Sequence, residues 1–418
     1  MSWHRLARLF VTVLVLGSSI LYSKELRMIS EDELIIRGLL YTEYKAYENS
    51  RQVFGKLYDM TGEQTYLFRE VASSLLGRTH ITESITRLKQ YDKAHPDLLE
   101  VKRLLIPLYL TNQQISEAKT EAIYLLERSD EAADLDLASN PYLYSGDFKK
   151  ALSLLQKAYE KSSNENILLR IATIMDEYTG ERKRAIQLLE THRRMNIVTS
   201  NDIYFKLLTL YVKESDVDGV LSIYQALYEN DKDEEYLDKI IKAYAFKGDI
   251  NGAISFLEKN QAAYKTLYQL YKSKKDFDNA LKLARKFYAE ESDPKWLAEI
   301  AILTYEKAKD KSDKAMIEKV VKTFDKALSL GVDDSIYLNY YGYTLIDQDI
   351  DVDKGMKILK NALDQQPDNT YYLDSLAWGY YKKRKCRKAY ELIKRVVDLE
   401  GLKEPEIAEH WEAIKKCK

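Results

Sequence analysis

Cysteine is nearly absent from the 418 residues: there are two, Cys386 and Cys417, and no C-x-x-C pair. Neither lies near the N-terminus, which excludes an N-terminal lipid anchor on cysteine. Proline is scarce at 6 and glycine stands at 15, so a strand-rich fold with frequent turns lacks the turn chemistry it needs. No charge of one sign dominates. The 64 Lys and Arg face 66 Asp and Glu, a formal net charge of −2 with a pI near 6.3, and that leaves no positive field to draw the chain onto nucleic acid. What the chain has in quantity is 45% hydrophobic and 31% charged residues, with 33 tyrosines set in Leu/Ala/Lys/Glu-rich stretches. This composition predicts a folded, all-α protein.

One apolar run stands apart. Arg5 and Arg8 precede a stretch from Leu9 to Leu21, shorter than the roughly 20 residues a membrane-spanning helix needs. A basic start, a short apolar run and the small Ser23 have the layout of a secretory signal over 1–23, with Ser19 the alternative cleavage point. The expectation is an exported chain, periplasmic or secreted. The alternative is an uncleaved anchor, and membrane contact follows only if the segment is retained.

The rest of the chain repeats. In Leu237–Leu257, a helix with Leu237, Ile240 and Tyr244 on one face leads through Gly248-Asp249 into a second helix carrying Ala253 and Leu257. The large residue, the tyrosine, the turn glycine and the small residue fall at positions 4, 11, 15 and 20 of the tetratricopeptide pattern, which this segment resembles. Sliding the template places Ser50, Ser84, Ala118, Ala151, Ala185, Val220, Ala253, Ala280, Val320, Gly355 and Ala389 at position 20, mostly 33 to 35 residues apart. A residue there must be small or slender because the two helices of a repeat cross closest at that point. A bulky residue, usually tyrosine, recurs nine positions earlier at Tyr41, Leu75, Tyr109, Tyr142, Tyr211, Tyr244, Tyr271 and Tyr380. The expected fold is therefore a right-handed superhelical solenoid of about eleven helix pairs. Its segments would be an N-terminal arc over 24–260, a C-terminal arc over 261–400 and a capping helix over 401–418. The spacing of 27 before Ala280 implies a truncated second helix, and the spacing of 40 before Val320 an insertion around Lys307 to Asp313. Lys102 occupies a position 4 that calls for a large apolar residue, which predicts a register shift of a residue or two in the third repeat.

The final repeats carry Tyr341-Gly342, Ala362-Leu363, Pro367-Asp368-Asn369, Leu373-Asp374-Ser375-Leu376-Ala377-Trp378, Tyr380-Tyr381, Ala389 and Pro405-Glu406-Ile407-Ala408-Glu409-His410. This C-terminal part resembles envelope-associated tetratricopeptide proteins of Gram-negative bacteria, and Glu33 to Pro96 has a similar layout. The resemblance implies envelope processes: regulation of a protease or cell-wall hydrolase, outer-membrane assembly, or support of a flagellar or secretion machine.

Catalytic spacing is missing. The chain has no G-x-x-x-x-G-K-[ST], G-x-S-x-G or H-E-x-x-H, and its histidines are dispersed, so the reading is not an enzyme, without cofactor or metal. The run Asp347, Asp349, Asp351, Asp353 starts like a calcium loop, but Val352 stands where glycine is required and Ile358 where a bidentate glutamate is required. It reads as a solvated turn. The basic run Lys382-Lys383-Arg384-Lys385 sits at the turn of the last repeat, and solvation or contact with an anionic partner both fit it.

The concave face of tetratricopeptide repeats uses positions 2, 5, 9 and 12 of the first helix. In the last two complete repeats these are Ile336, Asn339, Tyr343 and Ile346, then Tyr371, Asp374, Trp378 and Tyr381. Large aromatics on a groove are typical interface anchors, which makes Tyr343, Ile346, Trp378, Tyr381 and Lys382 the candidate protein-binding residues. Packing of Trp378 beneath the neighbouring repeat is the alternative. Cys386, at the turn of the last repeat, and Cys417, on the stripe Ile407, Trp411, Ile414, point toward one junction. In an oxidising compartment such a pair favours a disulfide, with two small buried hydrophobes as the alternative. The expected function is a periplasmic scaffold or adaptor that docks proteins or peptides in the concave groove. A structural subunit of a larger machine and an envelope enzyme with a site built across repeats are the rivals.

Overall fold

A computed structural model describes residues 30–417, so the segment read as a signal, 1–23, lies outside the described residues. These fold into twenty-three α-helices and no strand, packed as two compact units divided between Leu237 and Asp238 and not at residue 260. The first unit contains α1 (Glu31–Glu43), α2 (Tyr47–Thr61), α3 (Gln64–Gly77), α4 (Ile81–Ala94), α5 (Leu99–Thr111), α6 (Ile115–Leu126), α7 (Ala132–Tyr144), α8 (Phe148–Ser162), α9 (Glu165–Glu177), α10 (Arg182–Met195), α11 (Asn201–Lys213) and α12 (Val217–Asp231). The boundary falls in the first turn of α13 (Glu234–Lys247). Beyond it come α14 (Ile250–Asn260), α15 (Tyr264–Ser273), α16 (Phe277–Glu291), α17 (Lys295–Lys307), α18 (Lys314–Ser329), α19 (Ser335–Asp347), α20 (Val352–Gln365), α21 (Thr370–Lys382), α22 (Cys386–Glu400) and α23 (Pro405–Lys415). Odd-numbered helices open a hairpin and even-numbered helices close it, giving eleven pairs and a single last helix. No helix among the described residues is long and apolar enough to cross a membrane.

Local chemistry starts and stops these hairpins at the same places. Asp147, Asp216, Asp249, Asp276 and Asp351 each cap a second helix by accepting from the backbone N–H three residues on, a bond worth about 1 kcal/mol. The chain reaches that cap through a left-handed residue. Gly146 and Gly248 take φ of 77° and 67° without strain, while Ser215 and Lys275 accept 56° and 57°.

Packing follows the repeat arithmetic. Ser50, Ala118, Ala151, Ala185, Ala280, Val320 and Ala389 are completely buried at the helix crossings. Where the sixth pair crosses, Val220 is only half-buried and Gly219 takes the tight contact: a β-carbon there would lie 2.2 Å from the Tyr211 ring. Backbones meet closely where α19 packs on α20: a β-carbon on Gly355 would lie 2.7 Å from the carbonyl oxygen of Gly342. The spacing of 27 arises from α14 and α15, which have 11 and 10 residues. They remain tied together, with the Tyr271 hydroxyl donating to Glu258. The spacing of 40 includes the six-residue connection from Ala308 to Asp313.

Lys102 stays in register, contrary to the shift its charge implied. It is buried, and its ammonium donates to Asp92 at 2.6 Å, lies 3.3 Å from Glu121 and sits over the Tyr124 ring. Burial opposes the charge, but the two carboxylates outweigh it and hold its pKa above the usual lysine value. A lysine fills an apolar position here because its alkyl stem packs and its head is paired.

Candidate protein-binding cleft

The second unit carries a cleft of about 480 Å³ on the face formed by its first helices. Four consecutive ones contribute: α17 supplies Tyr305 and Glu306, α19 supplies Ile336, Asn339, Tyr340, Tyr343 and Asp347, α21 supplies Tyr371 and Asp374, and α23 supplies Glu406. Residues three and four apart share a helix face, so Ile336, Asn339, Tyr340, Tyr343 and Asp347 form one stripe. Asp334 and Asn369 fix where the two central helices begin, each accepting backbone N–H bonds from the first turn.

The floor is polar and fully engaged on one side. His410 Nδ1 lies 3.0 Å from both carboxylate oxygens of Asp374, and His410 Nε2 lies 3.4 Å from the Tyr343 hydroxyl, which donates to Glu406. His410 and Asp374 are buried. Burial, then the hydrogen bond to Glu406 and the charges of Glu406, Asp347 and Asp374, push the Tyr343 pKa far above the usual phenol value. Burial followed by neighbouring carboxylates also raises Tyr305 and Tyr340. The opposite wall is open: Tyr340 is 40% and Tyr371 57% exposed. The side-chain oxygen of Asn339 is shielded from solvent yet has no hydrogen-bond partner, which leaves a buried acceptor at the cleft.

The residues proposed from sequence take different places. Tyr343 lines the cleft. Trp378 is sandwiched, its ring stacked on Tyr381 at 4.7 Å and on His410 at 4.1 Å, while its indole N–H donates to Asp347 at 3.3 Å. Both of its faces are therefore covered from within the chain. Lys382 donates to Asp349 at 2.8 Å and to the Asp347 carbonyl at 3.1 Å, and its ammonium lies 5.6 Å from the Trp378 ring centroid. Ile346, placed on the groove by its position in α19, is 0% exposed and packs with Met356, Leu359 and Leu376, so it offers no surface to a partner. The reason is two glycines. Gly355 and Gly379 lack the β-carbons that would press on Ile346, at 2.7 and 3.0 Å, and α20 and α21 close over it.

Tyr305, Tyr340, Glu306, Glu406 and His410 were not singled out for this site from sequence. Tyr340 was within reach, being adjacent to the Asn339 position. Glu406 and His410 meet Tyr343 and Asp374 across 63 and 36 residues, through the docking of α23. Cys386 and Cys417 are disulfide-bonded, their Cα atoms 5.5 Å apart, and tie the end of α23 to the turn that opens α22.

The hairpins, their buried small residues and the stripe along their first helices define an all-α helical-repeat protein. No protein-family model and no curated protein sequence matches the chain. Among solved structures, the chain is similar to one in the crystal structure of the APC/C hetero-tetramer Cut9–Hcn1, with 12% identity, 94% of this chain and 98% of that one covered, and a TM-score of 0.37. YrrB, described as a TPR protein with an unusual peptide-binding site, is 15% identical over 45% of this chain and 97% of its own, with a TM-score of 0.34. MamA from Desulfovibrio magneticus RS-1 is 17% identical over 37% of this chain and 92% of its own, with a TM-score of 0.29. These values assign the chain no partner and no activity.

Proposed function

We propose that the chain is a non-catalytic scaffold of the cell envelope that docks a partner protein in the cleft between α17, α19, α21 and α23. The observation that carries the reading is the cleft itself: an open concavity with the exposed aromatic rings of Tyr340 and Tyr371 on its wall. Exposed aromatics beside a concave surface are the usual anchors of protein association, giving large contact area at low entropic cost. Export is supported by Arg5, Arg8 and the apolar run that follows them, and by a bonded cysteine pair, which persists in oxidising compartments.

The test is photo-crosslinking in intact cells with a benzophenone amino acid in place of Tyr371, and a control placement at Lys357, which is exposed on α20. Fractionation follows irradiation. A discrete adduct from position 371 and not from 357, recovered with the envelope fraction, supports the reading. Equal labelling from both positions, or adducts confined to the cytoplasm, overturns it.

A further inference from the structure

Four carboxylates line the cleft, Glu306, Asp347, Asp374 and Glu406, and no lysine or arginine does. The nearest cations are turned to other work. Lys311 donates to the Tyr305 carbonyl, with its ammonium 4.4 Å from the Tyr305 ring centroid and 3.8 Å from Glu306, and Lys382 bonds Asp349 and a backbone carbonyl. His410 engages Asp374 from the protein side of the wall. Tyr305, Tyr340 and Tyr343 are all made harder to ionise, by burial first and by these carboxylates after it, which marks the space between them as electronegative. A ligand carrying negative charge would meet a carboxylate from each of the four helices.

The remaining features ask for a hydrogen-bond donor. Asn339, which lines the cleft, carries a side-chain oxygen shielded from solvent and without a partner, and such an acceptor is costly until a donor reaches it. The exposed side chains of Tyr340 and Tyr371 line the same cleft, and the negative face of an aromatic ring attracts an ammonium or guanidinium group. Electronegative walls, aromatic faces and an unmet acceptor are complementary to one side-chain chemistry. We infer that the cleft takes an extended segment of a partner protein that inserts a lysine or arginine side chain between Tyr340 and Tyr371. The inserted cation lies against Asn339 and the carboxylates, and the flanking backbone of the segment runs along α19 and α21. The inference rests on the scaffold reading above and adds the chemistry of the partner to it.

The experiment measures fluorescence anisotropy of hexa-lysine, hexa-arginine, hexa-glutamate and a Gly-Ser hexapeptide, each with the same zwitterionic rhodamine label, against the full chain. Glu306→Gln with Glu406→Gln removes two charges while keeping shape and an acceptor for the Tyr343 hydroxyl, and Asn339→Leu removes the buried oxygen. The basic peptides are expected to bind, more weakly as salt rises, and the double glutamine variant is expected to lose about tenfold in affinity. Circular dichroism confirms that each variant is folded, and the double variant alone decides the matter if Asn339→Leu is not. Binding of the basic peptides that the cleft variants leave unchanged overturns the inference, as does no binding up to about 1 mM. Tighter binding of the acidic or neutral peptide also overturns it, while a specific adduct from position 371 in cells would keep the scaffold reading. Loss of that adduct as well would remove both.

Discussion

Opening the Cys386–Cys417 disulfide should loosen α23 without unfolding the rest of the C-terminal unit. The bond spans 31 residues, and the chain-entropy relation for a loop of that length gives about 3.7 kcal/mol at 25 °C. If only the segment from Gly401 to Cys417 comes free, the closed loop shortens and the same relation gives about 3 kcal/mol. The equilibrium for local opening of α23 should therefore rise by roughly 150-fold to 500-fold when the bond is absent. The helix will not detach outright, since Ile407, His410 and Ile414 remain buried against the last pair. An isolated helix of 11 residues is too short to persist in water, so packing and tether share the work. The assay is native-state hydrogen exchange of peptides covering 405–415 in the oxidised protein and in the Cys386→Ser, Cys417→Ser double variant. Protection there should fall while protection of α19 stays put. Equal protection in both proteins would refute the argument, and a parallel loss across all helices of the unit would show that the bond supports the whole stack.

Gly355→Ala should destabilise the C-terminal unit even though alanine is the better helix former. Its β-carbon would meet the Gly342 carbonyl and Ile346, neither of which can move without separating α19 from α20; overpacking of about 1–3 kcal/mol outweighs a propensity gain of about 1 kcal/mol, so the urea midpoint should drop or, at the least, fail to rise. Acid should weaken the N-terminal unit through Asp134, whose carboxylate receives two bonds from Arg103 at 2.8 Å and is held below its ordinary pKa by that guanidinium. Its folded value is depressed, so the contribution is present above the unfolded value of about 3.9 and is lost as pH falls through the folded one; Asp134→Asn should flatten the stability profile in that window, and an unchanged slope below pH 4 would count against the bond.

The fold was readable because its constraint is periodic and local. A close helix crossing every 33 to 35 residues demands a small side chain, and Ala118, Ala151, Ala185 and Ala389 announce it whatever surrounds them. Lys102 shows where that logic needed the third dimension: only with Asp92 and Glu121 in place is a charge compatible with an apolar position. The site was readable only in part. Tyr343, Asn339, Tyr371 and Asp374 follow from helical spacing, but whether a residue on that stripe is open depends on what arrives from the next helices. Ile346 is enclosed because two glycines admit α20 and α21. Trp378 is enclosed because α23 brings His410 onto its face.

That last helix links the ending of the repeat to the character of the cleft. A stack of helix pairs leaves an apolar face on its final member, which has to be covered. α23 covers it with Ile407 and Ile414, and the adjacent stripe of the same helix turns Glu406 and His410 toward Tyr343 and Asp374. Had the cap been apolar on both stripes, the cleft would keep its tyrosines but lose Glu406 from its wall and the partner that holds Asp374. The charge of the cleft is thus partly a property of the cap. Because the cap is tethered by Cys386–Cys417, a change in its seating alters the groove at the wall that carries Glu406.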